Sequence, residues 1–106
     1  MPKYLLHANY VGDGIKGLLK EGGTSRKAAA EQAIKSLGGK VEAFYYAFGD
    51  TDVYVIAELP DNASMAATAL RVSASGLVTV RTTVLMTPEE IDQAAKKTPA
   101  YRAPGE

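Results

Sequence analysis

The sequence contains no cysteine, and among its 106 residues it has one histidine, His7. Without cysteine there is no disulfide framework, no thiolate nucleophile and no cysteine-ligated metal site. One histidine is too few for a zinc or iron site, which normally takes about three or four protein ligands. A haem group would need His7 as its one axial ligand. We therefore expect neither a metal nor a cofactor.

The chain also lacks an excess of charge of either sign, since 12 Lys and Arg residues balance 12 Asp and Glu residues. No net field then draws the protein to nucleic acid or to an anionic membrane. No apolar run approaches the roughly 20 residues that cross a bilayer. The N-terminal residues alternate and carry no basic segment followed by an apolar one, so no secretory signal is evident. We expect a soluble, cytoplasmic protein that binds neither nucleic acid nor membrane.

Hydrophobic periodicity predicts a regular series of strands and helices. Segments rich in β-forming residues predict strands at 3–11, 40–48, 52–59 and 77–86. Apolar residues at helical spacing predict helices that begin near Asp13, near Thr24 or Ser25, near Asp61 or Asn62, and at Thr87. The last start is the most specific, because Thr87-Pro88-Glu89-Glu90 combines a hydroxyl cap, a proline and a capping-box glutamate.

The resulting order is β-α-β-β-α-β followed by an extra C-terminal helix. It predicts an α+β fold of the ferredoxin-like type, an antiparallel four-stranded sheet with helices on one face. Residues 1–96 are expected to form this domain. Residues 97–106 contain two prolines and few large apolar groups, so we predict a flexible C-terminal tail.

Alternation along the strands sorts the side chains into two sets, one for each face of the sheet. The first set is mostly small and aliphatic, which suits packing beneath alanine-rich helices. The second set mixes aromatic, aliphatic and ionisable groups, among them Leu5, His7, Asn9, Phe44, Tyr46, Phe48, Tyr54, Ile56, Arg81 and Leu85. A monomer would leave this second face in water as a large apolar patch. The pattern therefore favours a homodimer, or a larger even assembly, built on a two-fold axis.

The segment Leu18–Ala67, LLKEGGTSRKAAAEQAIKSLGGKVEAFYYAFGDTDVYVIAELPDNASMAA, resembles the GYD domain family. The first strand fits the same family, as do Ala74-Ser75-Gly76 and Arg81-Thr82-Thr83. In the Gly-x-Tyr-Asp motif of the family, Gly49 and Asp52 match, and Thr51 stands at the tyrosine position.

The resemblance implies the dimeric α/β-barrel superfamily, in which two ferredoxin-like sheets pack face to face. It implies no catalytic set, since relatives by fold include cofactor-free monooxygenases, lactone isomerases, haem enzymes and stress proteins. A fold shared by such different activities does not choose among them.

Five residues of the mixed face form the candidate ligand-binding set: His7, Asn9, Tyr46, Tyr54 and Arg81. Such a set can position a small aromatic or enolisable molecule, with histidine as base, arginine as counter-ion, and tyrosine and asparagine as donors. The alternative interpretation is polar pairing across a dimer interface, where arginine and tyrosine are common.

Two further segments have a functional and a purely structural interpretation. Gly23, Thr24, Ser25 and Arg26 bring backbone donors, hydroxyls and a guanidinium to a helix start, which is a weak candidate anion cradle. Because the spacing of a P-loop or dinucleotide fingerprint is absent, an ordinary turn and cap is favoured. The helix at 62–75 is rich in Ala and Ser, which either leaves a pocket above the sheet or lets the helix lie close to it.

These observations leave two functions open. The first is a homodimeric small-molecule protein, either a binder or a cofactor-independent enzyme. The second is a non-catalytic structural or interaction module whose mixed face only mediates oligomerisation. No residue pattern identifies a catalytic set, so the sequence does not distinguish an enzyme from a binding protein.

Overall fold

The computed structural model describes residues 1–106 and confirms an α+β chain with a four-stranded antiparallel sheet and four helices. The strands are β1 Lys3–Tyr10, β2 Lys40–Tyr46, β3 Val53–Glu58 and β4 Val78–Leu85. The helices are α1 Gly14–Glu21, α2 Gly23–Ser36, α3 Asn62–Ala74 and α4 Pro88–Ala95. No helix has both the length and the apolar character needed to cross a bilayer.

Two of the helix starts are capped as their sequences predict. The Asp61 side chain accepts a hydrogen bond from the backbone of Ser64 at 2.8 Å, so Asp61 and not Asn62 is the N-cap of α3. At α4, Thr87 accepts from the Glu90 backbone and the Glu90 carboxylate accepts from the Thr87 backbone. This reciprocal pair is the predicted capping box.

The cap predicted for α2 at Thr24 or Ser25 is wrong. Gly22, with a φ of 87°, is the N-cap, and the helix already begins at Gly23. This positive φ is readily adopted by glycine and lets the chain turn sharply from α1 into α2. Thr24 and Ser25 therefore lie in the first turn of the helix, with both side chains exposed.

The sheet has the strand order β2-β3-β1-β4, and every neighbouring pair is antiparallel. Eight buried apolar side chains form the core: Tyr4, Leu6, Ile34, Val53, Val55, Ala57, Leu59 and Met65. Ile34 comes from α2 and Met65 from α3, so both helices cover the same face of the sheet. We call this the covered face, and the opposite side the open face.

A register shift in β2 overturns the predicted alternation of that strand. Val41 pairs with Ala57, but the next paired residue is Ala43, opposite Ile56. The extra residue, Glu42, is a β-bulge, which reverses the faces of the side chains that follow. Phe44 therefore lies on the covered face beside its partner Val55.

The shift applies to the rest of the strand as well. Tyr46, opposite Val53, also lies on the covered face, whereas Tyr45, opposite Tyr54, lies on the open face. The assignment of Phe44 and Tyr46 to the mixed face is thus wrong. Strict period-two alternation does not anticipate an inserted residue.

Two glycines of α1 provide a matched test of how closely this helix packs against the start of β4. A Cβ at Gly14 would overlap the backbone carbonyl of Leu77, whereas a Cβ at Gly17 would meet no atom within 4 Å. We expect Gly14→Ala to lower the free energy of unfolding by about 1–3 kcal/mol or more, because backbone cannot rotate away from the added methyl group. Gly17→Ala should raise it by up to about 1 kcal/mol through helix propensity.

Urea denaturation followed by circular dichroism measures both changes. A Gly14→Ala protein as stable as the wild type would contradict the close approach of α1 to the start of β4.

Candidate functional site

A cavity of about 170 Å³ lies between the covered face of the sheet and the helices α2 and α3. Of the 15 residues that line it, 13 are hydrophobic. One wall consists of three short side chains of α2, Ala29, Ala30 and Ala33. Because alanine side chains end at Cβ, they do not reach down to the aliphatic strand residues. The structure therefore has a pocket, but the alanines that leave the space belong to α2 and not to the helix at 62–75, for which the pocket was predicted.

Phe44 reaches this cavity because of the bulge in β2. On α3 the cavity is lined by Thr68 and Val72. The Thr68 hydroxyl donates a hydrogen bond to the backbone carbonyl of Ser64 at 3.0 Å. Since that donor is already used within the helix, Thr68 contributes little free polarity to the cavity.

Arg26 is the one charged residue in the cavity lining. It also lines a second cavity of about 240 Å³, which lies beside α1 and shares Tyr10, Arg26 and Val78 with the first. The guanidinium lies 3.7 Å from a carboxylate oxygen of Glu21, and both side chains are partly exposed. Arg26 therefore marks the polar junction between two cavities.

Tyr46 lines neither cavity but lies beside the start of α2, close to Arg26. Its hydroxyl donates a hydrogen bond to the backbone carbonyl of Gly23 at 3.0 Å, which joins β2 to the start of α2. Partial burial, followed by the interaction with Tyr10, raises the pKa of Tyr46 to about 12, and the nearby Arg26 opposes this rise. At neutral pH the hydroxyl is thus a protonated hydrogen-bond donor.

The open face carries a row of four side chains, one from each strand. Tyr45 pairs with Tyr54, Tyr54 with His7, and His7 with Arg81. The rings of His7 and Tyr54 meet edge to face, with centroids 5.3 Å apart and planes inclined by 67°. We call these four residues the open-face row.

Two residues of the open-face row, His7 and Arg81, have further side-chain contacts. The Thr83 hydroxyl lies 3.5 Å from Nε2 of His7, and the Arg81 guanidinium donates to the Thr51 hydroxyl at 3.4 Å. Thr51 is 2% exposed, so the residue at the tyrosine position of the motif is buried. The threonine there serves as an acceptor for Arg81.

Asn9 has a structural contact of its own. Its side-chain oxygen accepts a hydrogen bond from the Asp52 backbone at 2.8 Å, and the Asp52 carboxylate accepts from the Tyr10 backbone at 2.9 Å. The two side chains fasten the β2–β3 loop to the end of β1.

The structure brings together part of the predicted ligand-binding set. His7, Tyr54 and Arg81 are neighbours on the open face, and Asn9 lies two residues further along β1. Tyr46 is separated from them by the sheet, since the bulge moves it to the covered face. Binding by this set stays a prediction.

The predicted anion cradle is also divided. The carbonyl of Gly23 accepts from Tyr46, Thr24 and Ser25 are exposed, and Arg26 lines the two cavities. Sequence reasoning missed Tyr10 and Phe44 as cavity residues. The available signal was the run of large side chains at 44–46, which does not fit a strand with one small and one large face.

Comparisons with known proteins identify the family. The family model described as GYD domain matches residues 4–95, so the chain belongs to the GYD domain family. No curated protein and no solved structure matches the chain. The predicted family membership is confirmed.

The surroundings of Tyr46 predict a late titration. The difference in tyrosinate absorbance between the wild type and a Tyr46→Phe variant reports the titration of Tyr46. We expect this difference to have its midpoint near pH 12, because burial disfavours the phenolate. The folded protein holds this proton more tightly than the unfolded chain does. The resulting stability is therefore complete below pH 10 and is lost as the pH rises towards 12. A difference curve centred on the ordinary value of 10.0 would contradict the described environment.

Proposed function

We propose that this member of the GYD domain family is a homodimeric small-molecule-binding protein whose ligand occupies the cavity between the sheet, α2 and α3. The observation that carries this proposal is the apolar cavity of about 170 Å³. An engineered apolar cavity of about 150 Å³ is large enough to bind benzene. The cavity in this protein therefore has room for one ring-sized apolar group.

The free-energy cost of an unfilled cavity supports the binding of a ligand. Unfilled apolar volume destabilises a protein by about 24 cal/mol per Å³, so a cavity of this size costs up to about 4 kcal/mol. That is a large part of the roughly 5–15 kcal/mol that stabilises a typical domain. A ligand that restores contacts with the cavity wall recovers much of this free energy. Ala33, which is exposed, lies on the cavity wall and offers a way in.

The surface area of the chain supports association with a second copy. The solvent-accessible surface is 7534 Å². A folded monomer of 11.2 kDa is expected to expose about 5,700 Å². A standard interface buries about 800 Å² on each partner, which is less than this excess. The radius of gyration, 16.9 Å, likewise exceeds the roughly 13 Å expected for a compact domain of this length.

The open face is the surface that we assign to this contact. No helix covers it, and the open-face row crosses it beside apolar Leu5, Ile56 and Leu85. Tyrosine and arginine are enriched at protein interfaces, which suits this row. Two ferredoxin-like sheets packed through these faces form a dimeric α/β barrel. In that arrangement His7, Tyr54 and Arg81 serve the interface, and the ligand lies on the other side of each sheet.

A second candidate function is the non-catalytic interaction module. It is favoured by large exposed aromatic groups, since Tyr45 on the open face is 71% exposed and Phe48 in the following loop is fully exposed. In this case the open face carries the whole function and the cavity stays without a ligand. The cavity-filling experiment separates the two candidates, and the open-face experiment tests the dimer on which both depend.

The first experiment fills the cavity. Ala30→Leu adds three carbon atoms to the cavity wall, whereas Ala28→Leu makes the same change at an exposed position of α2 outside the lining. We expect benzene to bind the wild type and the Ala28→Leu protein, and to bind Ala30→Leu at least about tenfold more weakly. Amide chemical shifts in NMR titrations measure the three affinities.

If benzene does not bind the wild type, or binds Ala30→Leu equally well, the cavity is not a binding site. The interaction module would then be the better supported function, provided that the protein is a dimer.

The second experiment adds a charge to the open face. Tyr45 and Leu70 are 71% and 70% exposed, so replacing either by arginine disturbs little of the core. Tyr45 lies on the open face and Leu70 on α3. We expect the wild type and Leu70→Arg to sediment as dimers and Tyr45→Arg as a monomer, because an arginine pair facing each other across a two-fold axis is repulsive. A monomeric wild type would contradict the dimer.

A further inference from the structure

We propose that the ligand of the cavity is a small carboxylate with a single ring-sized apolar body, and that Arg26 binds its carboxylate group. This inference rests on the proposed function, because it presupposes that the cavity between the sheet, α2 and α3 binds a small molecule. It adds the chemical class of the ligand and the residue that recognises it.

The bonding of Arg26 leaves its guanidinium available. No hydrogen bond from the Arg26 side chain to another protein group is present, and its nearest anionic oxygen, on Glu21, is 3.7 Å away. That distance exceeds the usual range for a charge-assisted hydrogen bond. A guanidinium presents a planar fork of donors that matches the two oxygens of a carboxylate. The guanidinium donors of Arg26 are thus free to bind a carboxylate in the cavity that Arg26 lines.

The rest of the cavity determines the body of the ligand. Phe44 and the aliphatic strand residues provide an apolar floor, and the alanines of α2 provide a flat wall. An aromatic ring packs well on such a surface, since its face and edge both find partners beside Phe44. A free anion would not enter a cavity of this kind unless its charge were paired. The apolar lining and the single cation of the cavity together favour an amphipathic ligand with one negative charge.

The position of Arg26 orients the ligand. Arg26 and Tyr10 line both cavities, so the charged group lies at the junction and the ring lies in the more apolar cavity. The junction is the end of the site where Tyr46 is hydrogen-bonded to the start of α2. The carboxylate therefore remains near the partly exposed end of the Arg26 side chain, where water can still solvate its outer side.

Glu21 competes for the same cation. It lies in the lining of the second cavity and is the acidic partner of Arg26 at 3.7 Å. A bound carboxylate would approach this carboxylate and repel it. Removing the charge of Glu21 should therefore strengthen binding, whereas removing the charge of Arg26 should weaken it. A general loss of structure would not produce these opposite effects.

The experiment compares benzoate with benzamide, its neutral counterpart of nearly equal shape, by NMR titration of the full chain. We expect benzoate to bind the wild type at least about tenfold more tightly than benzamide. Arg26→Met should remove this preference, because it weakens benzoate binding far more than benzamide binding. Arg71→Met, at an exposed arginine of α3 outside both cavities, is the matched control and should bind benzoate as the wild type does. Glu21→Gln should bind benzoate more tightly and benzamide unchanged.

The outcomes separate this inference from the function on which it rests. If benzamide and benzene bind as well as benzoate, or if Arg26→Met keeps the preference for benzoate, the carboxylate assignment is wrong while the cavity remains a binding site. If none of the three binds the wild type, the proposed function fails with it. Should Arg26→Met not fold, as judged by circular dichroism, an unchanged benzoate affinity in Glu21→Gln would still overturn the inference.

Discussion

The bulge at Glu42 in β2 determines what each face of the sheet presents. One inserted residue turns Phe44 and Tyr46 towards the helices and turns Tyr45 to the opposite side. Phe44 then borders the cavity, and Tyr46 ties the strand to the first residue of α2. Without the bulge, both aromatic side chains would lie on the open face, and the cavity would lose one wall and the anchor of its helix. A bulge is well suited to such a role because it re-aims side chains without interrupting the sheet.

The helices that cover the sheet complement this arrangement because part of their inner surface consists of short side chains. Alanines at 29, 30 and 33 leave space above the strands, whereas Ile34 and Met65 close the core beside it. The same covered face therefore contains a packed part, which stabilises the fold, and an unpacked part, which is the cavity. Packing of this kind lowers stability, since unfilled volume is unfavourable. Proteins commonly accept such a loss where a binding site requires it.

The covered face carries few charged groups, and the one in the cavity lining is Arg26. Arg26 alone brings a full charge to the cavity lining, and its ion pair with Glu21 is long and partly exposed. On the open face, in contrast, His7 and Arg81 are adjacent and their contacts are hydroxyls and an aromatic edge. The sheet thus separates an apolar cavity with a single cation in its lining from a polar and aromatic surface on the opposite side.

The order of strands and helices, the caps at Asp61 and Thr87 and the family could be predicted from the sequence, because each depends on residues close together in the chain. The same local patterns placed His7, Tyr54 and Arg81 on one face. The side of the sheet taken by Phe44 and Tyr46 was decided by the tertiary structure, since one unpaired residue reverses a period-two pattern. The cavity was decided there too: small side chains permit either close packing or a gap, and the positions of α2 and α3 over the sheet choose between them. Arg26 lines the cavity only because of that choice, since its position beside Tyr10 and Phe44 depends on contacts between distant parts of the chain.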